Sequence, residues 1–120
     1  MPSTQATEPV RRIAQAQVGI TPGPLSHRAT FLFISEAWDR ARELEFLAES
    51  YQGEPAESEA FKPEWFELSA IPYDQMPADD GIWYPPFLAG KKMRGHFDFA
   101  PDGETLLAHR VEEVAPDETP

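Results

Sequence analysis

The 120-residue sequence contains no cysteine, which removes disulfides, thiolate nucleophiles and cysteine-ligated zinc together. Positive charge is scarce: ten Lys and Arg stand against twenty-one Asp and Glu, a formal net charge of −11. The imbalance is uneven, because residues 1–29 carry one acid and three Arg whereas the remainder carries twenty acids and seven bases. Such a surface repels phosphate backbones and excludes nucleic acid as a partner, although a small pocket can still take a nucleotide. No apolar run reaches the length of a membrane span or of a signal-sequence core, so no membrane partner is expected and a cytoplasmic location is. His27, His96 and His109 share no metal-ligand spacing, and no serine lies in a G-x-S-x-G context, so neither a zinc centre nor a serine triad is supported.

What is present suffices for one small domain. Eight Phe, three Trp and three Tyr within a 41% hydrophobic composition can build a core, which argues against disorder throughout. Thirteen prolines fall mostly between periodic segments and exclude long helices over much of the chain. Residues 1–7 and the acidic stretch 115–120 read as frayed ends around a domain spanning 8–114.

Glu8 to Ile20 predicts a short helix, with Val10, Ile13, Ala14, Gln17 and Val18 inward and Gly19 as its stop. Residues 30–34, TFLFI, predict a strand. The following WDRARELEFLAES has strong helix propensity, yet Leu44, Phe46 and Ala48 alternate with acids as in a half-buried strand; on the residues alone helix is favoured. WFEL predicts a short strand, and GIWYPPFLAGKK a helix interrupted near Pro85 and Pro86. Residues 93–99 and 107–111 alternate on either side of Pro101-Asp102-Gly103 and predict an antiparallel hairpin.

Read together, the QG-P-ES-E loop from Gln52, P-x-W-F from Pro63, I-P followed by Met76, D-D-x-x-W at Asp79, and K-K-x-x-G-x-F-x-F from Lys91 occur in one order. This string, from Tyr51 to Val114, resembles the C-terminal half of the MutT-homologue branch of the Nudix hydrolases, which clear oxidised purine nucleoside triphosphates. RRIAQAQVGIT resembles the close of the Nudix box, keeping Arg12, Gly19 and Ile20. The resemblance implies an α+β fold, an incomplete Nudix-type sandwich in which a mixed, curved sheet is flanked by helices. It also implies a strand over 44–50, with 36–42 as a hairpin connection, and places the family's opening strands before Met1.

The chemistry departs from that pattern. The family's box glutamates bind Mg²⁺, but their positions hold Ile13, Ala16 and Gln17, and a further glutamate position falls on Ala60. None is an anionic ligand for a hard cation, so no catalytic residue, no metal ligand and no cofactor is assigned to this chain. Glu57 and Glu59 read as a solvated loop that flanks the phosphate side of the family's cleft. Asp79 and Asp80 match the acidic pair that reads the oxidised base; without the resemblance, Asp79 is a helix N-cap. Phe33 and Trp83 match pocket walls, although on the residues alone the core reading is favoured for either. Pro77 and Ala41 stand where the family has larger walls. Lys91, Lys92 and Arg94 read as closing a helix C-terminus. The expected function is a degenerate, non-hydrolytic Nudix-like domain with a purine nucleotide as its ligand class. Two alternatives stay open: a hydrolase completed by another chain, or an interaction module that associates with itself or a partner through an uncovered sheet edge.

Overall fold

The structure, a computed structural model, describes residues 2–59 and 61–120; Ala60, and with it the fourth glutamate position, lies outside the described residues. Two compact units are formed, Met1–Ser26 with Phe46–Phe66, and His27–Glu45 with Glu67–Pro120.

In the first unit, helix α1 runs Pro2–Val18. It therefore begins within the polar opening read as frayed. Proline is well tolerated in a first helical turn, where its missing N–H has no intrahelical partner to lose. The stop is where expected: Gly19 takes φ 77°, a left-handed conformation that glycine adopts without steric cost. The inward face is half-buried at Val10, Ala14, Gln17 and Val18, but Ile13 is 58% exposed and drops out of it. Arg11 takes its place, its guanidinium donating to the Pro22 and Gly23 carbonyls at 2.6 and 3.0 Å. Short strands β1 (Thr21–Pro22) and β4 (Tyr51–Gln52) pair antiparallel, and the Ala56 N–H satisfies the Val18 carbonyl at the helix end. The expected WFEL strand is absent: residues 61–67 have no regular structure. Trp65 is 75% exposed and rests on Tyr51 at 5.8 Å, so aromatic content there produced no ladder.

The longer strands are β2 (Leu25–Ser35), β3 (Asp39–Ala48), β5 (Lys92–Phe99) and β6 (Leu106–Val114), ordered β3-β2-β5-β6. β2 and β5 are parallel, β5 and β6 antiparallel. The sheet is mixed and the class α+β, as the resemblance implies. The helix favoured by propensity at 38–50 is a strand, because pairing beside β2 outweighs a preference of a few tenths of a kcal/mol per residue. Its connection is tighter than 36–42: residues 36–38 turn and Asp39 takes φ 63°. Ser35, buried, secures the corner by donating to the Ala100 carbonyl and accepting from the Ala37 N–H.

Alternation along β2 buries Ala29, Phe31, Phe33 and Ser35 on one face. On that face lie Met93, Phe97 and Phe99 of β5, and helix α2 (Asp80–Leu88) packs through Trp83 at 5.2 Å from Phe31. Glycine is required at 95, since a Cβ there would collide with the Arg110 carbonyl and approach the Val111 Cα to 2.9 Å.

Lys91, Lys92 and Arg94 do not close the helix. Lys92 and Arg94 belong to β5, and Lys91 and Arg94 instead pair across the hairpin with Glu113 and Glu112 at 3.4 and 2.9 Å. Lys92 donates to the carbonyls of Pro116 and Glu118, so the acidic tail read as frayed is hydrogen-bonded to the sheet.

Candidate functional site

In the second unit, the buried face of the sheet opens at one end into a cavity of about 1040 Å³. All four residues singled out from the sequence, Phe33, Asp79, Asp80 and Trp83, line it, together with Ala41 and Pro77. Phe33 arrives from β2 on the parity that buries Phe31. Trp83 arrives one helical turn after Asp79, a spacing that puts both on one side of α2.

Asp79 stands at the N-cap position yet makes no side-chain cap hydrogen bond. Its carboxylate instead accepts the Trp83 indole N–H at 2.8 Å, in surroundings that leave Asp79 5% exposed. That bond fixes the indole beside the cavity, and the same carboxylate also shares a hydrogen bond with Asp80. Asp80 is also buried, and its carboxyl is pushed up to about 7 by burial, by the charge of Asp79 and a hydrogen bond that the protonated Asp80 carboxyl donates to it, and by the charge of Glu43.

Glu43 and Glu45 were not legible as site residues. Both line the cavity from β3. Glu45 is raised to about 7 by burial first, then by its hydrogen bond with Glu43 and the charges of Glu43, Asp79 and Asp80. Tyr84 is pushed up to about 12 by burial and by Asp80, Glu45 and Asp79 in turn, so its hydroxyl keeps its proton. Glu43, Glu45, Asp79 and Asp80 thus converge, with Asp74 and Glu104 also on the lining, between aromatic walls that include Tyr73, Trp38 and Phe99. The available signal was the i, i+2 spacing of Glu43 and Glu45 with Ala41, which puts all three on one strand face; as a helix the same residues diverge.

Such a cavity combines flat apolar faces for a planar ring with carboxyls that accept N–H groups when ionised and donate when protonated. The positions of the family's box glutamates carry an alkyl chain, a methyl group and a neutral amide, a donor set that does not fit Mg²⁺. Among the described residues no group of three or more His, Asp or Glu is arranged to hold a metal ion. Glu57 and Glu59 are exposed. Among the described residues no helix is long and apolar enough to cross a membrane.

No protein-family model matches the chain. Over 69 residues it is 42% identical to the oxidized purine nucleoside triphosphate hydrolases of Danio rerio and of Mus musculus, a stretch that is 58% of this chain and 44% of either relative. The chain thus spans less than half the length of the curated relatives it matches. Its fold is that of a MutT protein from Bacillus halodurans, with a TM-score of 0.79 and 24% identity over 88% of this chain and 72% of that one. The chain is therefore similar to the MutT branch of the Nudix hydrolases in sequence over its matching stretch and in fold over most of its length.

Proposed function

We propose that the chain is a degenerate Nudix-type domain that keeps a purine-binding cavity and has lost the hydrolytic machinery. The observation that carries this reading is the meeting of Asp79, Asp80, Phe33 and Trp83 in one cavity, while Ile13, Ala16 and Gln17 occupy the metal-binding positions. With its carboxyl raised to about 7, Asp80 holds its proton far above the usual carboxylate range. It can then donate to a base carbonyl while Asp79 accepts from a ring N–H. Glu43 and Glu45 add acceptors, which favours a donor-rich purine edge such as that of an 8-oxoguanine. The zebrafish and mouse relatives act, by name, on oxidised purine nucleoside triphosphates.

Calorimetry with 8-oxo-dGMP, a monophosphate that needs no metal bridge, tests the cavity. Asp79→Asn with Asp80→Asn is expected to weaken binding by about tenfold or more, the worth of hydrogen bonds to charged groups. Pyrophosphate release from 8-oxo-dGTP with Mg²⁺ is expected to stay at background. Unchanged binding in the double variant sinks the base-reading role, and metal-dependent turnover by the parent sinks the loss of hydrolysis.

A second reading rests on the exposed aromatics Tyr51, Phe61, Trp65 and Phe66 of the first unit. Exposed aromatics of that number, two of them in contact at 5.8 Å, favour a surface that another chain or a second copy covers. Sedimentation at several concentrations is expected to show self-association that Trp65→Ser weakens; a concentration-independent monomer excludes the second copy.

A further inference from the structure

A second groove of the same unit gathers side chains of the opposite sign. Arg42 of β3, Thr30 and Leu32 of β2, Arg94 and His96 of β5 and Arg110 of β6 line a groove of about 590 Å³. Strand register makes this a continuous band: Thr30 pairs with Arg94, Leu32 with His96, and His96 with Arg110. Directly opposed residues on adjacent strands lie about 5 Å apart, close enough to act on one ligand and close enough for like charges to be costly.

Three of the ten Lys and Arg in a chain of net charge −11 occupy this groove. Several cations outside the groove are engaged elsewhere. Lys91 is paired with Glu113, Lys92 is spent on backbone carbonyls, and Arg11 likewise. Among the described residues the side chains of Arg42 and Arg110 make no hydrogen bond and no ion pair within 4 Å, whereas the carboxylate within the groove, Glu112, is engaged by Arg94 Nε at 2.9 Å and feels the charge of Arg110 more weakly. Gly95 also lines the groove and adds no side chain to its floor. We propose that this groove is a binding site for a small phosphate-class oxyanion, held by the guanidinium forks of Arg42 and Arg110 with Arg94 and His96 beside them.

Guanidinium geometry matches tetrahedral oxyanions through paired N–H bonds. The overall negative charge opposes entry, but at physiological salt its reach is cut to about 8 Å, so the groups lining the groove decide. The sheet separates this site from the purine cavity: Phe33, Ala41 and Glu43 line one and Leu32, Arg42 and Thr30 the other. The tail approaches the groove's edge, where the Thr30 hydroxyl donates to the Pro120 carbonyl at 3.1 Å, and the Glu118 carboxylate adds to the field of Glu112 at Arg94.

The test is calorimetric titration of the whole chain with inorganic pyrophosphate, and separately phosphate, at physiological salt. Saturable one-to-one binding is expected, weakened about tenfold or more by Arg42→Ala with Arg110→Ala. Glu112→Gln, which frees Arg94 and removes a repelling charge, is expected to tighten it about two- to fivefold. Arg12→Ala with Lys62→Ala changes the net charge equally elsewhere and is expected to alter affinity less than about twofold. Absence of saturation below about 10 mM overturns the site. Equal weakening by the two double variants overturns it as well, since that is the signature of net charge alone, and so does a Glu112→Gln variant that binds no tighter than the parent.

Discussion

Phe97→Ala is expected to lower the free energy of unfolding by about 3–5 kcal/mol, the range for emptying a large aromatic site that cannot collapse. Phe97 has 0% exposure. Its ring meets Phe31 edge-on at 5.3 Å, stacks on Phe33 at 5.3 Å and lies 6.0 Å from the His109 ring. Truncation removes three aromatic contacts and leaves a void whose walls are held by β2 and β6. A domain of this size is stable by about 5–15 kcal/mol, so the loss takes a large share of the total. Urea unfolding reads it as a midpoint displaced by roughly 2 M at a typical slope. Leu107→Ala, 65% exposed on β6, is the comparison and should stay within about 0.5 kcal/mol of the parent. Similar midpoints for the two variants would mean that the aromatic cluster is not the core.

Stability is expected to fall as pH rises from about 4 to 7, contrary to the usual behaviour of paired carboxylates. Glu45 and Asp80 are raised from 4.5 and 3.8 to about 7 each. Between those limits the folded chain holds protons that the unfolded chain has released, so raising the pH favours unfolding until both groups have ionised. Below the unfolded values their contribution is fully present; above about 8 it is gone. Because solvent reaches Glu45 and the carboxyls share protons, the two together are worth about 1–3 kcal/mol rather than the full product of their shifts. Two opposing influences are smaller or lie elsewhere. Burial lowers His27, which raises stability as pH rises through the range below 6.5, and hydrogen bonds depress Asp102 and Glu112 at the exposed surface. Glu45→Gln with Asp80→Asn should flatten the decline and raise the midpoint at pH 8. A double variant that keeps the parent's slope would place the protons elsewhere. The gain at pH 8 also separates roles: Asp80→Asn should weaken purine binding in a protein that is no less stable, the trade expected where a binding site holds repelling charges.

Several elements were legible because their causes are local. The alternation of Met93, Phe97 and Phe99 with polar residues, and the Asp102-Gly103 turn, lead to the β5–β6 hairpin without reference to anything distant. Asp102 accepts from the Glu104 and Thr105 N–H groups, a turn its own side chain builds. Gly19 ends α1 for an equally local reason. WFEL failed the same test: Trp and Phe favour a strand, but a strand also needs a neighbour, and the described structure offers none there.

The sequence by itself determined the hairpin, the helix stop, the clustering of Asp79 and Trp83 on one helical turn, and the lack of a carboxylate at positions 13, 16 and 17. Tertiary structure decided that residues 39–48 are a strand, since propensity alone makes them helical and only pairing beside β2 reverses that preference. It also decided which acids meet. Glu43 and Glu45 are more than thirty residues from Asp79 in the chain, and nothing local couples them. Sheet parity and the packing of α2 bring them into one cavity, and burial there, which no sequence pattern encodes, pushes Glu45 and Asp80 to about 7. The physical reason is range: turns, caps and alternation act over a few residues, whereas desolvation and charge repulsion depend on whatever the fold sets alongside.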